Sequence, residues 1–160
     1  MAKSKHIWSL ISVAAGIMIL LSTTLNNEQK MELKTLSEEI EAIRAAAQLY
    51  VDGIKYADAS KIDQVFHADW NMTGFYEDGN YRHFDRNGFL QLIERNRENA
   101  DFFPRYEGGI VDVYHYGKTA VVKVRVENER VIFTDYLSLL KIEGEWKIIH
   151  KIWDTELQNG

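Results

Sequence analysis

His115, Asp135 and His150 fall where the pattern of the C-terminal half calls for apolar side chains. A carboxylate on an apolar face is paired, protonated or turned toward a cavity, because burying an unpaired charge is expensive. An imidazole within reach makes Asp135 and His150 an acid–base pair, and an apolar cavity would raise the Asp135 pKa until it serves as a proton donor. A purely structural buried pair is the competing reading of the same two residues. Tyr50 lies at a core position of an amphipathic helix, where its hydroxyl either finds a core partner or donates to a ligand. The histidines suggest no metal centre: no two share a close motif, and no carboxylate completes a ligand spacing. His67 and Asp69 stand in a helix-to-strand turn, where turn chemistry accounts for both. There is no Gly-rich phosphate loop and no nucleophile elbow, so no cofactor is expected.

Composition narrows the chemistry further. The chain has 160 residues, 46% of them hydrophobic and 12% aromatic, enough for one domain whose core or cavity is walled with rings. The absence of Cys excludes disulfides, thiolate metal sites, cysteine nucleophiles and lipid-modified cysteine anchors. A formal charge of -5 argues against nucleic acid as a partner, since that recognition needs clustered Lys and Arg.

The elements that must position these residues begin after an address. Lys3, Lys5 and His6 precede an apolar run from Ile7 to Leu21. A basic start and about 15 apolar residues fit an export signal. No Ala-x-Ala-like site follows, so residues 1–25 read as a signal peptide or, uncleaved, as a short signal anchor near the lower length for spanning. The expected location is periplasmic or secreted, with membrane contact only through this segment. Its removal would take Lys3 and Lys5 and make the formal charge two units more negative. Residues 26–35 read as a polar tether, 36–156 as the domain and 157–160 as a tail.

Within the domain, Leu36, Ile40, Ile43, Ala47, Tyr50, Val51 and Ile54 recur at helical spacing, with Thr35 and Glu38 at capping-box spacing. Ser60 is the expected cap of a second helix and Asp85 that of a third, which carries Phe89, Leu92 and Ile93. Trp70–Tyr76 and Tyr81–Phe84 form a strand hairpin between them. From residue 106 four strands follow, joined by two-residue turns at Gly117-Lys118, Asn128-Glu129 and Glu143-Gly144. These turns pair Val113 with Val122, Val124 with Phe133, Val122 with Asp135, Leu139 with Ile148, Leu137 with His150 and Asp135 with Ile152. One face then collects Val111, Val113, Val122, Val124, Val126, Val131, Phe133, Leu137, Leu139, Ile148 and Ile152. A one-residue slip would mix it with Lys123, Arg125 and Lys147. On this register Asp135 and His150 are diagonal neighbours roughly 7 Å apart.

This order, with the stretches Ala45-Ala46-Ala47-Gln48-Leu49-Tyr50-Val51-Asp52-Gly53, Val65-Phe66-His67-Ala68-Asp69 and Asp135-Tyr136-Leu137-Ser138-Leu139-Leu140-Lys141-Ile142-Glu143-Gly144-Glu145-Trp146-Lys147-Ile148, resembles the nuclear transport factor 2-like superfamily. The nearest wording is that of its bacterial putative lumazine-binding and polyketide-cyclase-like group. The resemblance implies an α+β cone, a curved antiparallel sheet closed by three helices around a pocket. It also implies that Tyr50 and Asp135 match the oxyanion-stabilising tyrosine and aspartic acid of ketosteroid isomerases. The isomerases' proton-shuttling base falls on Gly74, so an oxyanion hole without its base is not an isomerase.

Three functions follow as expectations. The first is extracytoplasmic binding of a small hydrophobic molecule, in a pocket lined by Tyr50, Ile54, Trp70, Phe89, His115, Asp135 and His150. The second is an isomerase- or dehydratase-type enzyme with Asp135 and His150 as acid and base beside Tyr50. The third is a structural dimerisation module with a filled cone. The opposite sheet face interleaves aromatic and charged side chains, among them Tyr114, Arg125, Tyr136 and Trp153, the mixture of an interface, and predicts a homodimer.

Overall fold

Helix α1 (Ser4–Lys55) opens the computed structural model, which describes residues 4–99 and 105–158, with backbone alone for residues 4–25. The expected export segment lies outside the residues described to side-chain level. The chain divides into two units, Met1–Glu39 and Ile40–Gly160. In the first, residues 26–35, read as a tether, are helical and exposed. Thr35 caps nothing there: its hydroxyl donates back to the Met31 carbonyl at 3.0 Å inside the helix. Among the described residues no helix is long and apolar enough to cross a membrane.

The second unit holds the rest of α1, α2 (Ala59–Val65), β1 (Phe66–Phe75), β2 (Tyr81–Asp85), α3 (Arg86–Glu98), β3 (Glu107–Tyr116), β4 (Thr119–Glu127), β5 (Val131–Ile142) and β6 (Glu145–Leu157). Asp58, not Ser60, caps α2, accepting from the amides of Ser60 and Lys61. Asp85 caps α3 through the Gly88 amide. Both carboxylates satisfy amides that a helix start leaves without partners. Ile43, Ala47, Tyr50 and Val51 of α1 are buried, as are Ile62 and Val65 of α2 and Phe89 and Ile93 of α3. The sheet order is β2-β1-β6-β5-β4-β3. It is antiparallel except between its second and third strands, where β1 runs parallel to β6, so the sheet is mixed rather than wholly antiparallel.

Two of the expected turns pair their strands as read: Val113 faces Val122 across Gly117-Lys118, and Leu139 faces Ile148 across Glu143-Gly144. Glu143 and Gly144 have φ of 51° and 89°, the left-handed pair that a type I′ hairpin demands. The β4–β5 connection is longer. Asn128 Oδ1 accepts from the amides of Arg130 and Val131, and the register moves by two, with Val124 facing Asp135 and Val122 facing Leu137. An even shift leaves each side chain on its own face.

The β5–β6 ladder departs by one, and that does change faces. Leu139 faces Ile148 but Ser138 faces His150, which leaves Ile149 as an extra residue, a β-bulge. Up to the bulge Trp146 and Ile148 are buried; beyond it Lys151, Trp153 and Thr155 are buried while Ile152 is 49% exposed. The expectation that His150 and Ile152 face inward and Trp153 outward is therefore reversed. A second irregularity between Ile110 and Asp112 turns Val111 out to 55% exposure and packs Ile110 against the core.

Candidate functional site

Three polar side chains from three elements meet inside the cone. Tyr50 comes from the buried face of α1, Asp135 from the middle of β5 and Lys151 from β6 just past the bulge. The Tyr50 hydroxyl donates to Asp135 Oδ2 at 2.6 Å. Lys151 Nζ donates to Asp135 Oδ1 at 3.2 Å and to the Tyr50 oxygen at 2.9 Å, closing a triangle. Tyr50 and Asp135 are each 1% exposed and Lys151 is 4% exposed. A charge so buried is tolerable because it is both paired and hydrogen-bonded. Aromatic rings complete its surroundings: the ammonium lies 4.8 Å from the Trp153 centroid, 5.3 Å from that of Tyr50 and 5.8 Å from that of Phe89.

Burial sets the protonation behaviour of the site. Loss of water pulls the Lys151 ammonium below its ordinary 10.5, against the opposing pull of the Asp135 carboxylate. Burial first, then the charge and hydrogen bond of Asp135, holds the Tyr50 hydroxyl well above 10.0.

The triangle borders a cavity of about 80 Å³, walled among others by Met72, Phe89, Phe133 and Trp153. A single water needs roughly 10–15 Å³ of such space, so the cavity suits a few waters or a ligand of about one ring. The Trp153 indole N–H is buried and has no hydrogen-bond partner among the described residues.

Of the residues singled out in the sequence, Tyr50, Ile54, Phe89 and Asp135 line this cavity. Trp70 stands behind it, edge-on to Phe89 at 5.7 Å and against Phe66 at 4.2 Å. His115 lies apart, with Nε2 donating to the Gly117 carbonyl at 2.8 Å and its ring 5.6 Å from Trp146. His150 lies on the outer face, where Nδ1 donates to the Asn71 carbonyl at 2.9 Å. The Asp135–His150 pair therefore does not form, because the Ile149 bulge exchanges His150 for Lys151. Lys151 and Trp153 were missed for the same reason. Their only trace in the sequence is the adjacent apolar pairs Ile148-Ile149 and Ile152-Trp153, which no strict alternation can satisfy.

The missing isomerase base also has a packing cause. Gly74 pairs with Trp153 across the parallel ladder, and a Cβ on it would overlap the Trp153 ring and carbonyl oxygen. No side chain fits there without moving a wall of the cavity. Among the described residues no cluster of His, Asp and Glu is arranged to hold a metal ion.

Comparison with known proteins agrees with this architecture. The family described as "Putative lumazine-binding" matches residues 38–154. The aldolase FrzH of a Cladobotryum species is 26% identical over 121 residues, spanning 74% of this chain and 93% of that protein. A structure of an NTF2-like protein of unknown function from Silicibacter pomeroyi superposes with a TM-score of 0.64 at 25% identity, covering 77% of this chain and 98% of that one. A second, from Shewanella baltica, gives 0.63 at 23% identity, covering 75% and 95%. With a mixed curved sheet closed by helices and a family match over most of its length, this chain belongs to the Putative lumazine-binding family of the nuclear transport factor 2-like superfamily.

Proposed function

We propose that the domain binds a small, largely apolar molecule in the cavity beside Tyr50, Asp135 and Lys151. The observation that carries this reading is the triangle itself: three titratable groups held deep against a cavity lined otherwise by mostly aromatic and aliphatic side chains. Few convergent polar groups in an apolar hollow is the usual make-up of a small-molecule site. The unpartnered Trp153 N–H supplies a donor for a ligand acceptor. The family description points to the same class of function. A screen of ring-sized fragments by thermal unfolding tests it: a fragment at 100 times its Kd stabilises the fold by about 2.7 kcal/mol. Absence of any stabilising fragment at millimolar concentration would retire the reading.

A second reading is catalysis, favoured by the likeness to the Cladobotryum protein named as an aldolase. Tyr50, Asp135 and Lys151 would then move protons at a bound substrate, in place of an Asp135–His150 pair. Asp135→Asn separates the two readings, since an enzyme loses turnover while a binder keeps its fragment. We further propose that the domain acts outside the cytoplasm, on the support of Lys3 and Lys5 preceding the apolar run from Ile7. Fractionation of the native host, with the intact mass of the recovered chain, tests location and cleavage together.

A further inference from the structure

We propose that Lys151 is an amine nucleophile and that the molecule held in the cavity is an aldehyde or ketone, captured on Lys151 Nζ as an iminium. This rests on the binding role proposed above and adds the chemical class of the ligand. Nζ lies at the cavity wall with the two partners that carbonyl capture needs: a carboxylate at 3.2 Å and a hydroxyl at 2.9 Å. Burial favours the neutral amine, the form with a free electron pair.

The sequence of steps balances within the site. Lys151 gives one proton to Asp135, and its freed electron pair forms the N–C bond while the carbonyl π pair moves to oxygen. The oxygen takes the proton from Asp135, with the Tyr50 hydroxyl donating a hydrogen bond to it as charge develops. The nitrogen returns a proton to Asp135, giving a neutral carbinolamine. The nitrogen pair then expels the hydroxyl, which leaves as water with the Asp135 proton. The product is a protonated iminium beside an Asp135 carboxylate, so one carbonyl compound enters, one water leaves and the site keeps its net charge. The rings of Trp153, Tyr50 and Phe89 that surround the ammonium are placed to surround the iminium cation too.

Reductive trapping tests this on the full-length chain. The protein is incubated at neutral pH with sodium cyanoborohydride and benzaldehyde, or propanal as a smaller probe, and lysine modification is mapped by peptide mass spectrometry. Lys151 should be modified at least about tenfold faster than the exposed Lys34 and Lys118, since Asp135 and the Tyr50 hydroxyl are positioned for the proton transfers that a surface amine must take from solvent. Lys151→Arg should lose that site while the surface lysines react as before. Modification of Lys151 no faster than of Lys34 and Lys118 with both probes overturns the proposal, and this result needs no variant to fold. Benzyl alcohol, which has the ring without the carbonyl, distinguishes the two failures. If it perturbs the Trp153 indole resonance while Lys151 stays unmodified, iminium capture falls and the binding site stands. If it leaves that resonance unmoved as well, both fall.

Discussion

Lys151 and Asp135 answer for one another in the core, and the consequences of separating them are unequal. Lys151→Met leaves the buried Asp135 carboxylate with the Tyr50 hydroxyl as its one remaining side-chain partner of the triangle, and should cost about 3–5 kcal/mol by urea denaturation. Adding Asp135→Leu removes the orphaned charge, so the double variant should recover most of that loss. Alkaline behaviour follows from the same residues. The folded value of Lys151 lies below 10.5, so in the interval between them the unfolded chain holds a proton that the folded chain has released, and stability rises with pH. Tyr50, Tyr76 and Tyr106 lie above 10.0, chiefly through burial, so beyond that pH the unfolded chain sheds protons that the folded one keeps, and stability falls. Denaturation midpoints should climb into the alkaline range and then turn over near pH 10, and the Lys151→Met/Asp135→Leu variant should lose the climb.

At the scale of elements, what could be read from sequence depended on whether a strand kept one phase. Helix α1 declares its buried face through Ile43, Ala47, Tyr50 and Val51, and the β3–β4 turn fixes Val113 against Val122. Asn128 drew the β4–β5 register off by two, which cost nothing because the faces survive. Ile149 drew β6 off by one, and that substituted a histidine for the lysine that makes the site. Asp135 was legible because a carboxylate among valines and leucines needs a reason; Lys151 was not, because a lysine beside Ile152 reads as the polar side of an ordinary alternation. Gly74 gives a test of how tightly these elements interlock. Gly74→Ala places a methyl against the Trp153 ring and carbonyl oxygen and should destabilise by about 3 kcal/mol, the upper end for overpacking, with altered indole fluorescence.

For the whole molecule, the open question is what meets the outer face of the sheet. Trp153 leaves that face for the cavity, whereas Tyr114 at 65%, Tyr136 at 39% and Ile152 at 49% exposure stand on it beside Lys123 and Arg125. Tyr114 and Tyr136 are of the type that carries interface energy, and a second copy of the chain remains the proposed occupant. Sedimentation should show a dimer that Tyr136→Glu dissociates without unfolding; a monomer at every concentration tested would refute it.

The bulge at Ile149 has an evolutionary edge. Because inside and outside in β6 beyond Ile149 depend on a count of residues rather than on their identity, the phase of that stretch is set by one amino acid. Loss of that codon would leave His150 beside Ile148 in strict alternation, still opposite Ser138, with Lys151, Trp153 and Thr155 inside, whereas the same residues in an unbulged strand would turn those three to solvent and bring His150 and Ile152 inward. A substitution at Ile149 that straightened the ladder is therefore a route to abolish the site, or to found a different one, with every residue of the triangle unchanged.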